Sequence, residues 1–316
     1  MARPSICIVI PTMDRRELLK IALDSVANQT RACAEAIVID AGHDGSDALC
    51  AQYPFVRYVR QTTKGMTPAR NEALRLVTAD YVAVLDSDDY YEPRFLEVCG
   101  DLLDRGADVV YSRGYRVSGS KREPILVNHR QPEQFLRAMV DDNFLIASFV
   151  VQRTACFQKV DYYREGLALA DDYDLYLKFC LAGFRFAHAP ESLSNRLHHD
   201  GSLTLVYPAD NIKTIAEILT FYGPEICRKL GCSMEQLLAP TEFRMARHFF
   251  ERGDLSSSRR EFQKILRRDP RQLRAWAYWL ACLAGPLSLQ VFRRLQKLKQ
   301  RVEGQLSGWG LRERRW

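Results

Sequence analysis

The chain has 316 residues, 45 Lys and Arg against 39 Asp and Glu, a net charge of +6, and a hydrophobic fraction of 47%. That length holds one large domain plus a smaller one; the composition is that of a globular protein, and no window supplies the ~20 apolar residues of a membrane span. Nine scattered cysteines without a C-x-x-C pair argue against a disulfide framework or zinc site and for a reducing compartment, and the apolar run near the N-terminus is too short for a secretory signal.

In chain order, residues 6–10 (ICIVI) read as a buried strand ended by Pro11-Thr12. Helical spacing follows over 15–28, with Leu18, Leu19, Ala22, Leu23 and Val26 on one face and Asp14 as N-cap. Residues 36–39 form a second strand ending at Asp40 in the turn DAGHDGSD, and 56–59 a third. Thr67-Pro68 starts a helix through Val77 with Arg70 and Asn71 in its first turn, and 81–85 is a fourth strand. Strands alternating with helices predict a parallel, doubly wound sheet. Neither G-x-x-x-x-G-K-[ST] nor G-x-G-x-x-G is present, so a P-loop enzyme and a Rossmann dehydrogenase lack support.

The fourth strand delivers Asp86, Asp88 and Asp89 at its carboxyl end, where open α/β sheets bind ligands. Three carboxylates in four residues repel one another unless a cation sits among them, and a hard divalent ion shared with phosphates is the usual one. The alternative is an Asp-rich turn capping a helix that opens at Pro93. Beyond it, 94–105 is helical, 108–117 a strand, 132–140 a helix and 148–152 (SFVVQ) a strand. A second acidic cluster, Asp171-Asp172-Tyr173-Asp174, opens a helix bearing Leu175, Leu177, Phe179 and Leu181. Short strands at 184–188 and 193–197 lead into His198-His199-Asp200-Gly201.

From Pro208 the pattern is helical throughout: 210–222, 233–251, 256–267, 273–283 and 289–302. Residues 246–270 resemble one tetratricopeptide-type hairpin turning at Gly253-Asp254. Such hairpins bury their faces by stacking on neighbours, so a single one reads as a lid or docking element. From Arg244 onward there are 18 Lys and Arg against 6 Asp and Glu, a net of +12, which leaves −6 for residues 1–243. Trp276, Tyr278, Trp279, Leu280 and Leu283 lie among arginines and lysines, a mixture suited to an anionic membrane surface. Packing of the same aromatics on the catalytic domain is the alternative, and no RNA- or DNA-binding motif supports a nucleic acid partner.

PTMDRRELL, VIDAGHDGS, ARNEA, VLDSDD, ADDYDLY and NRLHHDGSLT occur in one order along the chain. Together, over about residues 5–205, this series resembles the family 2 glycosyltransferases. The resemblance implies a GT-A fold, a nucleotide-diphospho-sugar transferase α/β architecture with a Rossmann-like mixed sheet flanked by helices. The catalytic domain would be 1–207, followed by a basic, all-helical C-terminal extension at 208–316. The implied activity is inverting transfer from a nucleotide-diphosphate sugar to a carbohydrate or lipid-linked acceptor, in cell-surface polysaccharide or glycolipid synthesis. The expected location is cytoplasmic, at or near the inner membrane face.

By that resemblance Asp86-Ser87-Asp88 is the D-x-D element. Asp88 would bind Mn²⁺ or Mg²⁺, and Asp86 the ribose or the metal's water shell. Pro11, Thr12, Asp14, Asp40, Arg70, Asp86 and Ser87 would line the nucleotide sugar. Arg70 suits the diphosphate; its alternative is a surface pair with Asp80 or Glu72. Asp172 matches the general base, with Asp171 where the family usually has Glu, although both acids could equally cap their helix. Two departures stand out. Ala41 replaces the acid that reads uridine in many members, so Asp44 or Asp47 would have to substitute and UDP, dTDP and GDP all stay open. The R-x-H register selects His198 whereas H-x-x-S selects His199, and either imidazole could complete the metal shell. The competing readings are a catalytically inactive GT-A scaffold subunit working through its helical tail, and a nucleotidyltransferase, for which the Gly-rich triphosphate loop is missing.

Overall fold

The computed structural model describes residues 3–127, 129–167, 169–197, 208–285, 287, 289–292 and 294. Four parallel strands make the first half of the sheet: β1 (Ile6–Thr12), β2 (Glu35–Asp40), β3 (Val56–Arg60) and β4 (Tyr81–Val84), in the order β3-β2-β1-β4. They alternate with α1 (Arg16–Ala27), α2 (Ser46–Cys50) and α3 (Met66–Arg75). β1, β2 and β4 are buried almost throughout, as a sheet covered on both faces requires. Ile8, Ile10, Leu19, Leu23, Val38, Ala83 and Leu85 pack here with Phe95 and Cys99 of α4 (Phe95–Asp104).

The second half departs from the all-parallel expectation. β8 (Val150–Arg153) runs antiparallel between β4 and β6 (Val109–Ser118). β9 (Phe186–Leu197) lies parallel to β6, and the three-residue β5 (Asp89–Tyr91) is antiparallel to β9 at the edge. β7 (Lys121–Ile125) folds back on β6 as a hairpin. Among the described residues the sheet is therefore mixed and nine-stranded, and its mixed character is what the resemblance implies. Periodicity reports which residues are buried, not which way a strand runs, so direction was invisible in the sequence.

Local differences have local causes. α1 is N-capped at Arg15 without a side-chain bond, because Asp14 adopts a left-handed backbone (φ 50°) and turns its carboxylate to the His43 N–H at 2.7 Å. The helix after the acids starts at Phe95 rather than Pro93, with β5 intervening and no side-chain cap at Arg94, so the acids do not cap it. The two strands expected at 184–188 and 193–197 are one. Pro190 and Glu191 fall in a break of the β6–β9 register, where a residue lacking an N–H costs no ladder bond. α5 (Pro132–Asp141), the short α6 (Thr154–Lys159) and α7 (Asp171–Leu181) complete this part.

Four helices follow: α8 (Pro208–Leu230), α9 (Met234–Arg252), α10 (Leu255–Arg268) and α11 (Leu273–Leu283). Ser233 forms a capping box with Gln236, Gly253 ends α9 in the left-handed region, and Asp254 caps α10 through the Ser257 N–H. Ala246, Phe262, Ile265, Leu266 and Ala275 form their core with Phe243 and Tyr278. Of the helix expected at 289–302, only 289–292 and 294 are described, and they are helical. The described chain clusters into two compact units, one of 3–197 with 217–231 and one of 208–216 with 232–294. Among the described residues no helix is long and apolar enough to cross a membrane.

Gly114 sits beside the β6–β9 break, where a Cβ would come within 2.3 Å of the Ser194 carbonyl oxygen and 2.4 Å of the Phe149 ring. Gly114→Ala is therefore expected to destabilise the protein by about 1–3 kcal/mol through overpacking, read as a lower urea midpoint. An unchanged midpoint would show that the break can yield.

Candidate active site

The carboxyl ends of β1, β2 and β4 stand side by side. Thr12 is in register with Asp40, the Ala41 N–H donates to the Thr12 carbonyl at 3.0 Å, and Leu85 N–H donates to Val9 at 2.9 Å. Asp40 is buried; its carboxylate accepts from Gly42 N–H at 2.7 Å and Tyr58 O–H at 2.9 Å, with Arg60 at 3.6 Å. Gly42 approaches Asp14 so closely that a Cβ would lie 2.3 Å from the Asp14 nitrogen. Asp14 and Asp40 thus shape the 40–44 loop from its two sides. Asp44 accepts from Arg16 N–H and from Ser46, whereas Asp47 lies exposed in the first turn of α2. Pro11 and Thr12 end β1, and among the described residues the buried Thr12 hydroxyl has no partner.

Past β4 the Asp89 N–H donates to the Asp86 carbonyl at 2.9 Å, a tight turn that brings oxygens of Asp86, Asp88 and Asp89 within 4.8 Å of one another. Ser87, between them, is buried. Arg70 Nη2 is 2.7 Å from Asp86 Oδ1 and Arg15 Nη1 is 2.8 Å from Asp88 Oδ2. Asp89 is buried, and burial followed by the charge of Asp86 pushes its pKa well above the ordinary carboxylate range; the Ser148 hydroxyl only partly offsets this. Three hard oxygen donors this close together fit a divalent cation such as Mn²⁺ or Mg²⁺.

On the other side of Arg70 stands the start of α7. Arg70, 4% exposed in its side chain, places Nη1 2.6 Å from Asp171 Oδ2, where the Thr67 hydroxyl also donates at 3.1 Å. The alternative surface pairing of Arg70 is not formed: Asp80 accepts from Ser5, and Glu72 accepts from Thr62 N–H. Next to Arg70, Asn71 exchanges two hydrogen bonds with the Tyr163 backbone at 2.9 and 3.0 Å. Ala170, before α7, takes the left-handed conformation with φ 55°. In the first turn Asp171 Oδ1 accepts from Asp172 N–H at 3.0 Å and Asp172 Oδ1 from Tyr173 N–H at 2.7 Å, so both acids serve first-turn N–H groups, while the N-cap position itself is Ala170 and makes no side-chain bond. Asp171 is committed to Arg70. Asp172 has no ion pair among the described residues, and burial followed by the charge of Asp171 raises its pKa from 3.8 to about 6, against the pull of Arg70. That is the tuning a base needs near neutral pH.

His198 and His199 lie outside the described residues. Sequence reasoning missed Arg15, Thr67 and Ser148 as members of this site. Arg15 stands inside the first motif, but isolated hydroxyls such as Thr67 and Ser148 carry no pattern. Asp89 was visible only as part of an acidic run.

Residues 7–165, half of the chain, match the sequence profile described as glycosyl transferase family 2. The chain belongs to this family. It is 26% identical over 232 residues to a chondroitin synthase of Escherichia coli, covering 70% of this chain and 33% of that protein. It is 25% identical over 209 residues to a hyaluronan synthase of Pasteurella multocida, covering 64% and 21%. The chain thus spans about a third or less of the length of these relatives. In fold it is similar to residues 1–349 of S. aureus TarS in complex with UDP-GlcNAc, with a TM-score of 0.63, 20% identity and 92% of each chain covered. It is also similar to the mannosyltransferase PcManGT of Pyrobaculum calidifontis in complex with GDP-Man and Mn²⁺, with a TM-score of 0.53 at 15% identity, covering 92% of this chain and 87% of that one.

Arg70 joins the two acidic clusters, and its removal leaves Asp86 and Asp171 without their ion pair. Arg70→Ala is expected to cost about 3 kcal/mol by urea denaturation, the low end for a broken buried pair because the Asp86 side chain is 34% exposed. Arg70→Lys should recover only part, since an ammonium lacks the fork that spans two carboxylates. Full recovery by lysine would show that charge alone matters.

Proposed function

We propose that this glycosyltransferase moves a sugar from a nucleotide-diphosphate donor to a hydroxyl of a carbohydrate or lipid-linked acceptor in a single inverting displacement, in cell-surface polysaccharide or glycolipid synthesis. The observation that carries the proposal is Asp172, an acid without an ion pair among the described residues and raised to about 6, separated by Arg70 from a cluster fitted to a cation. The UDP-GlcNAc and GDP-Man bound by the structural neighbours support a nucleotide-sugar donor and leave the base open among uridine, thymidine and guanosine. The chondroitin and hyaluronan synthases among its relatives support a carbohydrate acceptor.

Asp172 takes the proton of the acceptor hydroxyl as its oxygen attacks the anomeric carbon. Asp171, held by Arg70 and Thr67, fixes the turn on which Asp172 sits. Asp86 and Asp88, backed by Asp89, would hold Mn²⁺ or Mg²⁺, which when bound neutralises charge on the departing diphosphate. Thr12 and Ser87 line the same edge, and His198 or His199 follows directly on β9 in sequence.

Because Asp172 must be ionised, the rate is expected to fall as pH drops below about 6 and to level off above it. Asp172→Asn should remove that limb and slow transfer by roughly 10²–10⁴-fold with little change in donor affinity. The check is a pH–rate profile of wild type and variant on a panel of UDP, dTDP and GDP sugars, with the anomeric configuration of the product read by NMR. A retained configuration, or equal losses in donor affinity and rate, would reject Asp172 as the base.

Its place of work, in the same reading, is the cytoplasmic face of an anionic membrane. α11 buries Ala275 and Cys282 but exposes Leu273, Trp276, Leu280 and Leu283 at helical spacing on another face, within the segment of net charge +12. Each Lys or Arg near an anionic bilayer contributes about 1 kcal/mol, screened beyond a Debye length of ~8 Å. The full chain is expected to sediment with phosphatidylserine vesicles at low salt and not with neutral ones, and Trp276→Ser with Leu280→Ser to weaken this without unfolding. Equal behaviour with both vesicle types would assign the face to a protein contact.

A further inference from the structure

Arg15 is held in an unusual way. The residues on either side of it are fixed by the 43–44 loop: Asp14 Oδ1 accepts from His43 N–H at 2.7 Å, and Arg16 N–H donates to Asp44 Oδ2 at 2.7 Å. The backbone at Arg15 is therefore set without help from its side chain. That side chain, 37% exposed, reaches over to Asp88 at 2.8 Å. An ion pair this open contributes little to stability, about 0–1 kcal/mol, so holding the loop is not what it does. What it does is place a guanidinium on a carboxylate oxygen of the cation cluster, so that Arg15 and a metal ion draw on the same acid.

Resting on the reading of Asp86, Asp88 and Asp89 as a metal and diphosphate site, we propose that Arg15 is an exchangeable cation of this site. It pairs with Asp88 while the metal is absent and passes to the donor's diphosphate oxygens when metal and nucleotide arrive together. Arg70 cannot play this part, being buried and bonded to two acids at once. Arg15 can, because its exposed side chain has room to turn. Its planar fork matches phosphate oxygens as well as a carboxylate. The exchange also keeps charge balanced: Asp88 is never left without a cation, and the entering diphosphate meets one already poised at the edge of its site.

The two halves of this exchange have opposite signs, which makes them separable from a structural role. Isothermal titration of the full chain with Mn²⁺ alone, then with UDP, dTDP and GDP at saturating Mn²⁺, compares wild type with Arg15→Ala, Arg15→Lys and Asp88→Asn. Without Arg15 a competitor and a like charge are gone, so Arg15→Ala should bind Mn²⁺ alone about 3–10-fold tighter. The same variant should bind whichever nucleotide wild type prefers about 10-fold more weakly, with Arg15→Lys between the two. Arg15→Ala values that are unchanged, or weakened together, overturn the exchange, as does either half alone. Asp88→Asn separates the two layers. If wild type and Asp88→Asn bind Mn²⁺ equally, the metal reading itself fails; if only wild type binds it and Arg15→Ala shows no opposite shifts, the Arg15 inference fails and the metal reading stands.

Discussion

One buried guanidinium holds the candidate active site of this family member together. Arg70 lies on the inward face of α3 with Thr67 and Asn71, at the i, i+3 and i+4 spacing of a helix, and all three are buried. That face is partly polar where an ordinary amphipathic helix would be apolar, and each of the three side chains has designated partners, although Arg70 Nε makes no hydrogen bond among the described residues. Thr67 and Arg70 reach Asp171, Arg70 reaches Asp86, and Asn71 clasps the backbone of Tyr163. Burying an arginine is costly unless its charge is matched, and the two carboxylates that match it are the beginnings of the two acidic clusters. The same bonds that compensate Arg70 therefore fix the separation of the proposed metal site from the proposed base.

A consequence is that neighbouring acids divide their labour. Asp86, Asp88, Asp89, Asp171 and Asp172 outnumber Arg15, Arg70 and Arg196, the cations that face them. Asp89 and Asp172, the acids without an ion pair among the described residues, hold their protons more tightly, because of burial first and the neighbouring carboxylates second. Asp171 spends its charge on Arg70, while Asp172, one residue on, is raised to about 6. Asp89, deeper still, is also pushed up, by burial first and then by the charge of Asp86, and it lies with Asp86 and Asp88 in the cluster fitted to a cation. Two carboxylates adjacent in sequence thus acquire different chemistry from their surroundings alone.

How far this was legible in the sequence depends on range. Strands β1 to β4 and the helices α1 and α3 were readable because short apolar runs and helical stripes repeat locally, and the acids of the D-x-D stretch are contiguous; the five-residue α2 is too short to show a stripe. The antiparallel half was not readable: nothing in the run Val150–Arg153 tells that it returns between β4 and β6. The strand Asp89–Tyr91 is three residues long and has no period to detect. The partners of Arg70 failed for a related reason. Local reasoning offers Asp80 and Glu72, nearby in the chain, whereas the structure supplies Asp171, 101 residues away. The histidine assignment between His198 and His199 falls outside the described residues.

The same long-range logic governs where the catalytic unit ends. Asp174, fully buried on α7 two residues after the proposed base, is matched by Arg164 Nη2 at 2.8 Å. Arg164 in turn lies 4.7 Å from the Phe221 ring and 5.6 Å from Tyr222, a cation between two aromatic faces. Phe221 and Tyr222 belong to the second half of α8, which clusters with the α/β unit rather than with the helices after it. This second half of α8 is therefore linked, through Arg164 and Asp174, to the helix that carries Asp171 and Asp172. A buried carboxylate stripped of its partners is costly, so this part of α8 stabilises α7 in place rather than hanging from the domain as an appendage. Read from periodicity alone, α8 is one more amphipathic helix of the tail. Read from its contacts, its second half carries the rings that lie against Arg164, the partner of Asp174.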